Sequence, residues 1–272
     1  MSSVIPMESL YLPKESYRLT WPIYLVICLV FAVLAKTPAT WQVIFEWDKQ
    51  GAYFFNHMLG HSKSFDLFIA YFNSKMGDIS VFAFLGLFFL IHSLIPFERK
   101  SICQKLAFWG WVGVIFIITQ ILQNKCENMI DRRSAGGALP DWFDLKTVYH
   151  LKTRVGSGAS FPSGHVVSTL FFTLMAFRRG YRGGGILLFG LLIVLSITRM
   201  MSGAHWPTDI VGSLPLAALW AALSYETPVV NCNRWLEMFL NGIWYAFQNR
   251  RAGPLTTRIA TAWKAFLTNA AE

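Results

Sequence analysis

Two short clusters in the 272-residue chain combine residue types that act together in group transfer. Ser160-Phe161-Pro162-Ser163-Gly164-His165 is the first, and Arg199-Met200-Met201-Ser202-Gly203-Ala204-His205-Trp206-Pro207-Thr208-Asp209 follows it. In the first, Ser163 is a candidate N-cap, and the amides after it have no intrahelical partner, so the helix start can hold an anion. Gly164 lets the backbone approach that anion closely, and His165 stands beside it in the first turn. In the second, Pro207 suits a first helical position, and Asp209 lies about one turn after His205. At that spacing the carboxylate accepts a hydrogen bond from one imidazole nitrogen, leaving the other unprotonated and nucleophilic. Arg199 ends the preceding apolar segment and reaches the same place, while Lys125 and Arg132 stand upstream, seven positions apart. A nucleophile, a second imidazole to move protons and several cations are what phosphoryl transfer requires.

Each fragment alone reads as an ordinary helix start with a satisfied histidine. Together, at the ends of successive apolar segments on one face, they read as a site. Arg133 is as well placed as Arg132 to meet an anion, and Arg154 is a further candidate because it lies close to the first cluster. Lys146 and Lys152 read as solvated loop charges. His57 and His61 have a spacing that suits a metal, but no Glu-x-x-His or Cys completes the set, so no metal is expected. Neither 156–158 nor 183–185 reads as a nucleotide loop, since no strand precedes either glycine run.

The elements that carry these residues are apolar. Hydrophobic residues make up 54% of the chain and charged residues 14%, against roughly 25% charged in a soluble domain. The net charge is +9, yet the basic residues fall between apolar runs, which argues for membrane anchoring and an anionic substrate, and against nucleic acid. The four cysteines show no paired spacing. Apolar runs at 19–35, 79–95, 106–122, 166–177, 186–198 and 210–223 predict an all-α polytopic membrane protein with six spans. Several runs are shorter than the ~20 residues that cross a bilayer, so the motif residues must extend the same helices. The aromatic segments 47–59 and 64–72 repeat apolar residues at helical spacing, interrupted by polar and charged ones, and predict interfacial helices. The first apolar run lacks a clean cleavage site and reads as a retained helix.

Short basic connections around Arg99, Lys100, Lys105, Arg178, Arg179 and Arg182 belong in the cytoplasm, with both termini. The basic loop 125–162 then faces outward with the interfacial helices and the 199–205 connection, and an anion site explains its charge. Residues 1–224 form one domain, and 225–272 form a cytoplasmic tail whose amphipathic stretch 235–247 lies against the anionic inner leaflet.

Lys125-x6-Arg132, then Pro162-Ser163-Gly164-His165, then Arg199-x5-His205-x3-Asp209 resembles the type 2 phosphatidic acid phosphatase superfamily of membrane lipid phosphatases. The likeness covers most of residues 79–223. Two positions depart from its pattern: Arg132 is followed by Arg133 where the family has proline, and Thr198 precedes Arg199 where the family has serine. The resemblance implies a reaction without metal or other cofactor. His205 would attack phosphorus to give a phosphohistidine, with Asp209 orienting it, and His165 would protonate the leaving oxygen and then activate water or an acceptor. Lys125, Arg132 or Arg133, Arg199, Ser163 and Gly164 would hold the phosphoryl oxygens. Residues 45–78 (Asp48, Tyr53 to Asn56, Ser62 to Phe65, Asn73 to Asp78) are similar to the undecaprenyl-diphosphate:lipid A phosphotransferase branch. That likeness implies a bacterial inner-membrane enzyme with its site facing the periplasm, undecaprenyl diphosphate as donor, and water or lipid A phosphate as acceptor. The alternatives are a phosphatidylglycerophosphate or phosphatidate phosphatase, or a transporter that binds lipid phosphate without chemistry.

Overall fold

The computed structural model describes residues 20–94, 102–129, 132–150, 153, 158–178 and 180–224, together with Leu236, Phe239, Leu240 and Ile243. Arg154, Arg99, Lys100, Arg179 and most of the tail stretch 235–247 lie outside the described residues. Among the described residues ten helices follow one another: α1 (Thr20–Lys36), α2 (Pro38–Asn56), α3 (Lys63–Phe72), α4 (Lys75–Leu94), α5 (Ile102–Met129), α6 (Ala135–Ala138), α7 (Leu145–Tyr149), α8 (Gly164–Arg178), α9 (Arg182–Met201) and α10 (Pro207–Leu223). Among the described residues the one strand-like pairing is the isolated bridge Ser74–Thr153. The all-α polytopic reading of the sequence is what the structure shows.

The helices outrun their apolar cores. α4, α5 and α9 begin before the runs that identify them or end after them, because Lys75 to Asp78, Gln123 to Lys125 and Arg199 continue the helical path beyond the greasy stretch. α4, α5 and α9 are long and apolar enough to cross a membrane. α1 and α10, at 17 residues each, and α8, at 15, are shorter, so among the described residues length and composition count three spans where the apolar runs count six. α2 begins at Pro38, nine positions before the expected interfacial segment. The residue before a proline is held out of the helical region, and Thr37 has φ −85° and ψ 117°, so α1 stops there and Pro38 starts a new helix.

α4, α5, α8, α9 and α10 share a core built from Val81, Leu85, Phe108, Val112, Phe171, Met175, Leu188, Leu195 and Ala221. The opposite faces of the long helices remain apolar and exposed at Leu87, Ile117, Ile121, Ile186 and Phe189, the pattern of lipid-facing surface.

At one end of this bundle the non-spanning parts meet. The amide of Asn56, at the end of α2, donates to the carbonyls of Phe143 and Met201, both at 3.1 Å. Asn73, in the α3–α4 corner, donates to Thr198 O at 2.9 Å. Gly136 N–H bonds Gly203 O at 2.9 Å, and Ser160 N–H bonds Arg132 O at 2.9 Å. Gly203 has φ +78°, and a Cβ there would lie 2.6 Å from Trp142, so the turn after α9 needs glycine both for its backbone and for this packing. These links carry the ends of α4, α5, α8, α9 and α10 to a common place.

Candidate functional site

Two polar clusters form where these helix ends meet. The first surrounds the start of α10. Asp209 fills the third helical position and accepts the N–H of Trp206 at 2.8 Å, closing the cap that Pro207 opens. Its other oxygen receives Arg132 Nη1 at 2.6 Å. Arg132 also donates through Nη2 to Asp48 of α2 and through Nη1 to Thr208 Oγ1 at 2.9 Å. Asp48 in turn accepts Thr208 N–H at 2.8 Å and the Thr208 hydroxyl. The guanidinium lies 5.0 Å from the centre of the Trp206 ring. Asp48, Arg132 and Asp209 are all buried.

The second cluster borders a cavity of about 510 Å³ between α4, α5, α8 and α9. Its walls include Lys75 and Asp78 of α4, Gln120, Gln123 and Asn124 of α5, Gly164 and His165 of α8, Arg199 of α9, and His205. Deeper along α4 the wall turns apolar at Ile79, Val81, Phe82 and Leu85. A polar end with cations and histidines thus continues into a greasy slot, a shape that fits a charged headgroup on an apolar tail.

His205 donates from Nδ1 to the Ser160 carbonyl at 2.7 Å. That bond places the proton on Nδ1 and leaves Nε2 as the ring's lone-pair nitrogen, with no protein partner among the described residues. The sequence spacing assigns this orienting role to Asp209. Its Oδ2 stands 3.7 Å from Nδ1, outside hydrogen-bond range, because the carboxylate is committed to Trp206 N–H and Arg132. Asp209 therefore acts on the imidazole as a nearby charge, while the backbone of residue 160 sets the ring.

His165 Nε2 lies 2.8 Å from Asp78 Oδ1, and Arg199 Nη2 lies 2.6 Å from the same oxygen. Both histidines and Arg199 border the one cavity.

The remaining candidates fall elsewhere. Lys125 is exposed on α5, next to the cavity-lining Asn124. Arg133 is exposed, and its carbonyl accepts Trp206 Nε1 at 2.8 Å. Ser163 is at the N-cap position, where its carbonyl takes the N–H of Val167 at 3.0 Å and its own N–H goes to Ser213 Oγ at 2.8 Å. Its hydroxyl is buried without a hydrogen bond and makes no cap. Gly164 is met by α5: a Cβ there would come within 2.7 Å of Gln123 Nε2. His61 donates to the carbonyl of His57 at 3.0 Å, one turn back.

None of Asp48, Asp78, Thr208 and the Ser160 carbonyl is given a role by the sequence, which singles out the two aspartates only within the likeness of residues 45–78, although both left a signal. Each is a carboxylate in a largely apolar, basic chain, and ionised groups in such helices need partners.

Residues 108–231 match the PAP2 superfamily. A lipid A 1-diphosphate synthase of Escherichia coli is 26% identical over 65% of this chain and 74% of its own length. Lipid A 1-phosphatases of Rhizobium johnstonii and Rhizobium etli are 30% and 29% identical over 42% of this chain, which spans about half of each, 47% and 50%. No solved structure matches the chain significantly.

Proposed function

We propose that this chain, whose residues 108–231 match the PAP2 superfamily, is a membrane lipid phosphatase or phosphotransferase that works as follows. A lipid phosphate or diphosphate, with undecaprenyl diphosphate as the donor, gives a phosphoryl group to His205 Nε2. The phosphohistidine then passes it to water or to a phosphate of lipid A, at the periplasmic face of the bacterial inner membrane. The observation that carries this reading is the bond from His205 Nδ1 to the Ser160 carbonyl, which leaves Nε2 the lone-pair nitrogen of a ring that lines one cavity with His165 and Arg199. An imidazole that keeps a lone pair on Nε2 can act as a nucleophile.

In this reading Arg199 holds the transferring phosphoryl oxygens, and Gly164 lets α8 begin beside them. Lys125 and Asn124 form the α5 rim that a second phosphate would meet. Arg132 acts through Asp209 and the start of α10. Ser163, Arg133 and Arg154 remain supporting candidates, and six spans, with both termini inside, put the cavity on the outer side. A metal has no part in these steps.

Relatives named for lipid A stand behind the acceptor. The two named 1-phosphatases favour a second reading, in which a lipid A phosphate is itself the donor and water the acceptor. Purified protein and its His205→Ala variant, given undecaprenyl diphosphate with and without lipid A, separate these outcomes. Phosphorylated lipid A marks the transferase, and free phosphate from undecaprenyl diphosphate alone marks a recycling phosphatase. Free phosphate only when lipid A is present, with undecaprenyl diphosphate left intact, marks the second reading. Undiminished activity in His205→Ala overturns the phosphohistidine.

A further inference from the structure

The cavity contains a carboxylate that none of the three motifs supplies. Asp78 stands in the first turn of α4 and is 7% exposed. Its Oδ1 receives Arg199 Nη2 at 2.6 Å and lies 2.8 Å from His165 Nε2, while those two nitrogens are 2.7 Å apart. A guanidinium offers donors only, so Arg199 supplies the carboxylate with a proton and cannot accept one from the ring. His165 Nε2 faces the Asp78 oxygen at 2.8 Å and the Arg199 donor at 2.7 Å; a proton on Nε2, donated to Asp78, spares a lone pair from facing a negatively charged oxygen. The other ring nitrogen, Nδ1, has no protein partner among the described residues, and His165 borders the cavity.

The backbone around Asp78 is built to hold it there. Asn73 pins the α3–α4 corner to Thr198 O at 2.9 Å and Ile69 O at 2.8 Å, one residue before Arg199. A Cβ at Gly77 would sit 2.2 Å from Tyr71 O, so only glycine allows the corner to close this tightly. Asp78 N–H completes the turn on Ser74 O at 3.1 Å.

We propose that Asp78 is the positioning residue of the acid–base step: it keeps a proton on His165 Nε2, so that Nδ1 is the atom that exchanges protons with substrate, and it aims Arg199 at the same phosphoryl group. This rests on the phosphohistidine reading above. In the first half-reaction the phosphorus–nitrogen bond to His205 forms as the bond from phosphorus to the leaving oxygen breaks. The Nδ1 proton of the His165 imidazolium goes to that oxygen. His165 is then neutral, with its remaining proton still donated to Asp78. In the second half, Nδ1 takes a proton from water or from the acceptor hydroxyl as the new phosphorus–oxygen bond forms and the phosphorus–nitrogen bond breaks. Asp78 stays ionised throughout, and the cycle closes without any further reactant.

The test uses the full chain in detergent with labelled undecaprenyl diphosphate or lipid A, whichever the wild type turns over. Active sites are counted by the acid-labile phosphoenzyme formed in a single turnover, which removes misfolded protein from every rate. For Asp78→Asn, kcat falls by about 10²–10⁴, since an isosteric amide beside a catalytic imidazole costs that order through the wrong tautomer. KM stays within about three-fold, and phosphoenzyme formation and decay both slow. Asp78→Ala is equally slow, and added formate, which can refill the carboxylate position, restores part of kcat. Unchanged kcat per active site overturns the inference. So does a lower KM at unchanged kcat, which would mean that the carboxylate merely competes with substrate phosphate for Arg199. Loss confined to the number of active sites also overturns it, since that marks a structural role. A wild type that forms no phosphoenzyme on either lipid instead overturns the underlying phosphohistidine reading.

Discussion

Arg132 and Arg199 are both met by aspartates from distant parts of the chain, yet their surroundings differ. Arg132 is enclosed by Asp48, Asp209, Thr208 and the Trp206 ring, and it does not border the cavity. Arg199 shares Asp78 with a histidine and forms part of the cavity wall. The same ion pairing in one place ties α2 to the start of α10, and in the other leaves a cation and an imidazole facing open space. A buried pair contributes little net stability, but removing one partner strands a charge at a cost of about 3–5 kcal/mol. Cutting the first cluster should therefore register in stability, and cutting the second in turnover.

The largest effect expected is at His205. His205→Ala should lower phosphate transfer by at least about 10⁴-fold with the melting temperature little changed, because in the proposed reaction His205 is the nucleophile and its loss removes the covalent route. Transfer retained within about ten-fold would place the nucleophile elsewhere. Asp48→Ala should reduce unfolding free energy by about 3–5 kcal/mol, read as an earlier melt in detergent, with far less loss of kcat per folded molecule than the Asp78 variants show. A wild-type melting curve for Asp48→Ala would break the contrast between the clusters. Arg133→Ala should change kcat/KM by less than about three-fold, since the side chain is exposed and only its carbonyl is engaged. A loss of more than about ten-fold would show that the Arg133 side chain serves the site as well. Ser160→Ala should be nearly silent in the transfer assay, because His205 is bound to the main chain there. A large defect would mean that the hydroxyl takes part.

These contrasts mark how far the residue pattern alone could reach. Helix starts at Gly164 and Pro207 were legible because proline and unpaired amides act within one turn, and so was the meeting of both histidines with Arg199 at one cavity. The orientation of His205 was not. A spacing of four positions makes Asp209 available, but it does not show that Arg132 and Trp206 N–H already occupy it. Asp78 was hidden for a similar reason: it lies 87 positions from His165 and 121 from Arg199, and only the corner held by Asn73 and Gly77 brings the three together. The span count shows the reverse case, where apolar runs count six crossings and helix length counts three, because polar motif residues end the greasy stretch while the helix itself remains short or continues.

The bond from His205 to the oxygen of residue 160 has one more implication. That acceptor belongs to a peptide group, so no amino-acid exchange at position 160 can delete it. Adding or removing one residue between 160 and 165 would instead move it along the chain by up to about 3.8 Å, more than a hydrogen bond can follow. The reactive ring is thus tolerant of identity and intolerant of length at this segment, and a single-codon insertion there should do what no substitution of Ser160 can.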